Sequence, residues 1–301
     1  MLSSFLGRVT RREGKKFLKL SEEIDQSQIA AAGTPTARPI SLYIHIPFCR
    51  TLCPYCCFNR YLFHEDEARR YFADLKAELD LYIRKEFNFS TCYFGGGTPT
   101  ILMDELLQFI AYLRENFEMN QISVETTPRE VSQENVNLLQ EAGVDRLSIG
   151  VQSFDDRLLK AMGRTFCAGE EIREKISAAS GKFDTLNIDL IFNFPSQSLE
   201  TFQADIETFK SLGANQVTFY PLMPSPHKKS ALERRFNRID TSRERKFYNT
   251  ILEDFYESDY RPSTVWCFSR GERIIDEYVV DFDHYIGIGA CLLYTSDAAD
   301  E

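Results

Sequence analysis

Four of the eight cysteines fall in one short run, Cys49-Arg-Thr-Leu-Cys53-Pro-Tyr-Cys56-Cys57. Thiolates are the usual protein ligands of iron–sulfur clusters. The spacing C-x3-C-x2-C puts Cys49, Cys53 and Cys56 on a single loop, where each can bind one iron of a [4Fe–4S] cubane. The fourth iron then lacks a protein ligand and is open to a substrate or cofactor. Zinc is the alternative, but its usual spacing pairs two C-x2-C units far apart, and the chain has no second unit. Cys57 directly follows Cys56, so its side chain is expected to point away from the cluster's face. It reads as a bystander or supporting residue, with a redox or ligand role as the alternative. Cys92, Cys167, Cys267 and Cys291 are scattered and read as buried, reduced thiols.

A cluster loop needs rigid elements to hold it. Apolar, β-branched runs predict strands over residues 40–47, 91–95, 121–126, 146–152, 186–192 and 216–221. Between them helical periodicity predicts helices over 65–86, 103–117, 132–142, 168–182 and 199–212. Strands alternating with helices mean a parallel sheet, because parallel strands need a crossover. The strands read as apolar on both faces, the pattern of a sheet covered by helices. The fold class is therefore α/β. Six such units suggest a partial (β/α)6 barrel, with a doubly wound open sheet as the alternative. Gly143 and Gly213 read as helix C-caps ahead of strands. Beyond Pro224 the pattern weakens: 226–229 reads as a loop, 242–258 as a helix, and 265–268 and 277–282 as short strands. Residues 283–290 read as a strand entering a glycine-rich turn. His227, Lys228 and Lys229 suggest a solvated loop, with a substrate-facing role as the alternative.

Several motifs follow one another along residues 40–290. They are Tyr43-Ile-His-Ile-Pro-Phe-Cys49 with Cys53-Pro-Tyr-Cys56, Gly95-Gly-Gly-Thr-Pro-Thr100 and Val124-Glu-Thr-Thr-Pro128, then Gly143-Val-Asp-Arg-Leu-Ser-Ile-Gly-Val-Gln-Ser-Phe154, Met162-Gly-Arg164 and Asn187-Ile-Asp-Leu-Ile191. This ordered set resembles the oxygen-independent coproporphyrinogen III oxidase family of radical S-adenosylmethionine (SAM) proteins, which includes the oxidase and its heme-chaperone relatives (HemN/HemW-like). The resemblance implies a radical SAM barrel with a [4Fe–4S] cluster and SAM as cofactors. By the family pattern, Tyr43, Tyr55, Gly96, Gly97, Thr98, Glu125, Gln152, Arg164 and Asp189 correspond to SAM contacts, and Cys49, Cys53 and Cys56 to metal ligands. The oxidase branch is understood to hold two SAM molecules, so some of these residues can serve a second one. The chemistry implied is reductive cleavage of SAM to methionine and a 5′-deoxyadenosyl radical. That radical takes hydrogen from a propionate side chain, which loses CO₂ and becomes vinyl. The implied partners are a tetrapyrrole substrate or heme and a one-electron reductant such as flavodoxin or ferredoxin.

Read as residues, these positions lie near the C-terminal ends of strands, where barrel enzymes build their sites. Gly95–Gly97 let backbone approach a ligand closely; a plain turn is the other reading. Glu125 can accept from a hydroxyl or ammonium, or be a surface carboxylate. Gln152 can bond a ribose, or be a buried, satisfied amide. Arg164 offers a charged fork for a carboxylate, or caps a helix end. Asp189 sits among Ile188, Leu190 and Ile191, where a carboxylate needs a partner, which favours a ligand-facing role.

Two features separate the branches. The oxidase usually has one residue between its third and fourth cysteines. Here Cys57 follows directly, and Cys57-Phe58-Asn59 leans towards the chaperone, while the 39 residues ahead of the first strand lean towards the oxidase. The resemblance implies an oxidase-like enzyme, with a heme chaperone as the alternative and a plain electron-transfer iron–sulfur protein as a further one.

At 301 residues, 43% hydrophobic and 27% charged, the chain has material for a large core. Its net charge of −10 argues against nucleic acid or an anionic membrane as partner. No apolar run is long enough to span a bilayer. Residues 1–20 carry six cationic residues from Arg8 to Lys19 without the apolar core of a secretory signal, and read as an exposed basic helix, with a transit peptide as the alternative. A cytoplasmic location is expected. The expected organisation is an N-terminal extension and linker over 1–39, helical or without regular structure, and a barrel core over 40–225. The start of a C-terminal substrate-covering region follows over 226–290, with a tail over 291–301. That tail resembles a translated sequencing-adapter peptide, which would make Cys291 non-native and put most of the C-terminal domain beyond this sequence.

Overall fold

The structure is a computed structural model and describes residues 40–223, 226–271 and 285–290. The chain runs through β1 (Ile40–Ile46), β2 (Phe48–Cys49), β3 (Tyr61–Leu62), α1 (Glu65–Arg84), β4 (Phe89–Gly96), α2 (Met103–Asn116), β5 (Gln121–Thr126), α3 (Gln133–Glu141) and β6 (Arg146–Gln152). It continues through α4 (Asp156–Ala161), α5 (Gly169–Ala179), β7 (Thr185–Phe192), α6 (Leu199–Ser211), β8 (Gln216–Pro221), α7 (Pro226–Phe236), α8 (Glu244–Tyr256), β9 (Arg261–Pro262), β10 (Cys267–Ser269) and β11 (Tyr285–Gly289). The main sheet has the order β11-β1-β4-β5-β6-β7-β8-β10-β9. From β11 to β8 every pairing is parallel; β10 and β9 continue it antiparallel. The six units from β1 to β8 are the expected partial (β/α)6 barrel.

The expected boundaries hold to within a few residues because local signals set them. Side chains of Ser132, Asp155 and Ser198 accept hydrogen bonds from Asn135, Leu158 and Thr201 amides at the starts of α3, α4 and α6. Gly143 and Gly213 both have φ of +75°, the left-handed geometry of a helix C-cap.

The expectation for the strand faces is overturned. The strands are not apolar on both faces; they alternate. Leu42 and Ile44, Ile122 and Val124, Leu147 and Ile149, and Ile188 and Leu190 join the core packed with the helices. The intervening residues are polar: Ser41, Tyr43 and His45 on β1, Thr91 and Tyr93 on β4, Ser123 and Glu125 on β5, Arg146 and Ser148 on β6, and Asn187 and Asp189 on β7. The physical reason is that helices cover only the outer face, while the inner face of this barrel surrounds a cavity. Each fully buried outer side chain contributes about 1.5–3 kcal/mol. Most of the inner groups are buried by satisfying one another, although the buried Ser123 hydroxyl has no hydrogen-bond partner. Arg146, with no exposed surface, donates to Gln216 Oε1 at 2.9 Å, and Gln216 donates to Ser269 Oγ at 3.0 Å. Thr218 donates to Asn187 Oδ1 at 3.1 Å, and Asn187 donates to Asp189 Oδ1 at 2.7 Å.

Other corrections lie after β8. Residues 226–229, expected as a loop, open α7. Proline is tolerated in a helix's first turn, where its missing N–H loses nothing, and Ala231, Leu232, Glu233 and two arginines that follow are good helix formers. Lys229 is exposed. The strand expected over 265–268 is β10, one or two residues later and antiparallel; the helix expected over 242–258 is α8. The strand expected over 283–290 is β11, and it adds to the β1 edge of the main sheet. The expected strand over 277–282, the extension over 1–39 and the tail over 291–301 lie outside the described residues. Among the described residues, no helix is long and apolar enough to cross a membrane.

Candidate cluster and cofactor cavity

The chain between β1 and α1 forms the cysteine loop. Its base is clamped where β2 pairs in parallel with β3. Tyr61 N donates to Pro47 O at 2.6 Å and Phe63 N to Cys49 O at 2.9 Å, while Cys56 N turns back to Cys53 O at 3.2 Å. Gly97 N donates to Ile46 O at 2.8 Å, joining the end of β4 to the start of the loop. A Cβ on Gly97 would stand 2.7 Å from Phe48 O and 2.9 Å from Phe48 N, so only glycine fits this junction.

The loop closes over a cavity of about 240 Å³ at the C-terminal ends of β4 to β8. Cys49, Cys53 and Cys56 all line it. Thr98 Oγ1 donates to Cys49 Sγ at 3.6 Å, and Arg164 Nη1 to Cys53 Sγ at 3.6 Å. The guanidinium of Arg60 donates to Cys53 O. Burial pushes the Cys49 thiol above its ordinary pKa and that of Cys56 to about 11, against the pull of the Arg60 charge on both. Without metal these two thiols are protonated, so metal binding must displace their protons. Among the described residues no three His, Cys, Asp or Glu side chains are gathered as the ligands of a single metal ion.

The remaining predicted residues, except Tyr43, also line the cavity: Tyr55, Gly96, Gly97, Thr98, Glu125, Gln152, Arg164 and Asp189. Glu125 accepts from Tyr93 Oη at 2.8 Å and from Gly96 N at 3.0 Å. Burial, with the Asp189 charge adding to it, nevertheless raises its pKa to about 7. Asp189 accepts from Ser148 Oγ at 3.1 Å as well as from Asn187. Gln152 has a φ of +76° and stands where the β6–β7 register shifts. Such a conformation costs a non-glycine residue about 1–3 kcal/mol and persists only when its surroundings impose it. Its amide nitrogen would lie 3.0 Å from a Cβ on Gly150, an approach that glycine permits. Arg164 is 6% exposed, lies over the Phe166 ring at 4.8 Å, and donates to Gly150 O; its Nε has no partner. Tyr55 is buried edge-on against Phe194, and burial raises its pKa.

Tyr43 stands apart from the lining. It stacks on Tyr93 with ring centroids 6.0 Å apart, and its hydroxyl shares a hydrogen bond with His45 Nδ1 at 3.1 Å. Sequence reasoning missed the groups behind and around the cavity: Tyr93 and Arg146, and the lining arginines Arg50, Arg60 and Arg129. The two-residue alternation of β4 and β6 was the available signal for Tyr93 and Arg146. Nothing local marks the other three as lining residues.

The residues present fit the expected cofactors. Three thiols share one cavity with a glycine edge, two carboxylates and a buried guanidinium whose Nε is unpaired. Comparison with known proteins agrees. The chain is 35% identical over 193 residues to the heme chaperone HemW of Bacillus subtilis, covering 62% of this chain and 51% of that protein. It is 32% identical over 218 residues to the oxygen-independent coproporphyrinogen III oxidase of Escherichia coli, covering 67% of this chain and 46% of that one. The chain thus spans about half the length of these relatives. Its fold is similar to the solved structure of the Escherichia coli coproporphyrinogen III oxidase HemN, a radical SAM enzyme, with a TM-score of 0.73 and 26% identity over 84% of this chain and 63% of that one. Radical SAM proteins use a [4Fe–4S] cluster and SAM. The model of the radical SAM superfamily matches residues 43–209, more than half of the sequence, and the chain belongs to that superfamily, with HemW and HemN proteins among its relatives.

Proposed function

We propose that the chain is the core of a cytoplasmic enzyme of the oxygen-independent coproporphyrinogen III oxidase type, which turns propionate side chains of a tetrapyrrole into vinyl groups. The observation that supports this most is the meeting, in one cavity, of the three thiols with Gly96, Glu125, Gln152, Arg164 and Asp189. When bound, the cluster and SAM supply an electron and a radical able to remove a hydrogen atom from carbon. The protein's own part is to bind, orient and exclude water. Cys49, Cys53 and Cys56 hold three irons. Gly96, Gly97 and Thr98 offer backbone and hydroxyl groups to the amino-acid end of SAM. Arg164 offers a guanidinium to its carboxylate, Glu125 accepts from its ammonium or a ribose hydroxyl, and Gln152 and Asp189 take up the ribose side. Tyr55, packed edge-on against Phe194, lines the cavity, and Tyr43 acts from outside the lining, held by Tyr93 and His45. The cavity lining also includes Phe58, Leu222 and Met223 together with Arg50, Arg60 and Arg129. That mixture suits an apolar macrocycle bearing carboxylates. A one-electron reductant such as flavodoxin or ferredoxin completes the system.

A heme-chaperone reading is favoured by Cys57-Phe58-Asn59, whose first two residues are exposed on the cavity mouth, and by the likeness to HemW. The test is anaerobic. Reconstituted and reduced protein should form 5′-deoxyadenosine in proportion to vinyl groups when given coproporphyrinogen III. If it yields no decarboxylated product, yet takes up heme stoichiometrically and passes it to an acceptor, the chaperone reading replaces the enzyme.

A further inference from the structure

Gln152 and Arg164 lie on one cavity wall, yet the twelve-residue step between them is held from outside the cavity. From Ser153 onward the chain is tied to a single carboxylate on α6. Ser153 Oγ donates to Asp205 Oδ2 at 2.7 Å, and Phe154 N donates to Asp205 Oδ1 at 2.7 Å. Ser153 Oγ in turn accepts from Asp155 N at 3.1 Å, and Asp155 caps α4 through Leu158 N at 2.7 Å. One turn further, Arg164 N donates to Leu159 O at 2.8 Å. The left-handed Gln152 immediately precedes the anchored pair.

Asp205 is an unusual residue for its place. It is 2% exposed and shares the inner face of α6 with Phe202, Ile206 and Phe209. Among the described residues no cation forms an ion pair with it. Burial raises its pKa to about 6, while the Phe154 amide and Ser153 hydroxyl pull it down. A carboxylate so placed is costly to keep ionised unless its hydrogen bonds repay it. Both of its oxygens are committed to the two residues after Gln152.

We infer that Asp205 is a positioning residue: it holds the Ser153–Phe154 turn, and through it fixes Gln152 in its strained conformation and Arg164 at the cavity wall, without touching the cavity itself. Asp205 is not among the residues that line the cavity, so its effect on a ligand passes through these two side chains. The inference rests on the reading that the cavity binds SAM.

The test uses Asp205→Asn, Ser153→Ala and, as a control for general loosening of α6, Phe209→Leu. Two measurements are made on each: amide hydrogen exchange over residues 150–166, and the equilibrium affinity for SAM of the anaerobically reconstituted protein. Asp205→Asn should speed exchange in that segment and weaken SAM binding by about tenfold or more, the size of effect seen when a residue supporting a ligand group is lost. Ser153→Ala should do the same more weakly, and Phe209→Leu should leave SAM affinity within about twofold even where it lowers the melting temperature comparably. Unchanged exchange in Asp205→Asn overturns the inference. So does faster exchange with unaltered SAM affinity, or an equal loss of affinity in Phe209→Leu. If the wild-type protein binds no SAM, the proposed function fails on its own account, and the exchange measurement alone then decides whether Asp205 holds the segment.

Discussion

The hydroxyl of Tyr93 donates to Glu125, a residue of the cavity lining, at 2.8 Å from a neighbouring parallel strand. Even with that bond, burial and Asp189 hold the Glu125 pKa at about 7, above its ordinary 4.5. The folded protein therefore keeps this proton more tightly than the unfolded chain does. Stability contributed by this group is full below its ordinary pKa and is lost as pH rises through about 7. Glu125→Gln abolishes the titration. The cofactor-free variant should gain melting temperature relative to wild type between about pH 5 and about pH 8. Parallel thermal melts across that range check it, and a flat difference would contradict the raised pKa.

The cluster ligands make separate demands. Cys49→Ser, Cys53→Ser or Cys56→Ser should each abolish the [4Fe–4S] absorbance and electron paramagnetic resonance signals after anaerobic reconstitution, because a hydroxyl is a far poorer iron ligand than a thiolate. Cys57→Ser should retain them. A series in which Cys57 is needed and Cys49 is dispensable would reverse the assignment.

Gly97→Ala tests the junction between β4 and the cysteine loop. Its new methyl meets main-chain atoms of Phe48, which cannot rotate away. The expected loss is about 1–3 kcal/mol of stability, typical of overpacking. Iron content after reconstitution should fall as well, since the displaced segment runs directly into Cys49. Normal iron loading with an unshifted melt would show that the junction is looser than it looks.

Tyr43 and Gln152 should differ in their effect on SAM. Gln152 lines the cavity, whereas Tyr43 is not among the lining residues and has its hydroxyl on His45. Gln152→Ala should weaken SAM binding by about tenfold, the order expected for one lost hydrogen bond to a buried ligand. Tyr43→Phe should change it by no more than about twofold, because the ring stacking on Tyr93 is kept. Isothermal titration of SAM into reconstituted protein separates the two, and a larger loss for Tyr43→Phe would place its hydroxyl in direct contact with the ligand.

Some of this was legible without coordinates. Cys49, Cys53 and Cys56 lie within eight residues, so their convergence on one loop follows from chain connectivity alone. The alternation of strand and helix was readable because apolar periodicity is a local property, and it gave the barrel. Local pattern misled where the inner face was concerned. Runs such as Leu186 to Phe192 contain enough apolar residues to look doubly buried; Asp189 was legible as an exception, but only assembly of the barrel shows that Asn187 joins it in a polar interior. The helix opening at Pro226 was hidden by a residue that breaks helices everywhere except at their starts. The tertiary structure alone decided what depends on contacts between distant segments. Asp205 reaches Ser153 and Phe154 across some fifty residues, Arg146 reaches Gln216 across 70, and β11 pairs with β1 from the far end of the chain. Such pairings carry no periodic or spacing signal, because their partners are set by how strands stack and helices cross over them, and that geometry exists only once the chain has folded.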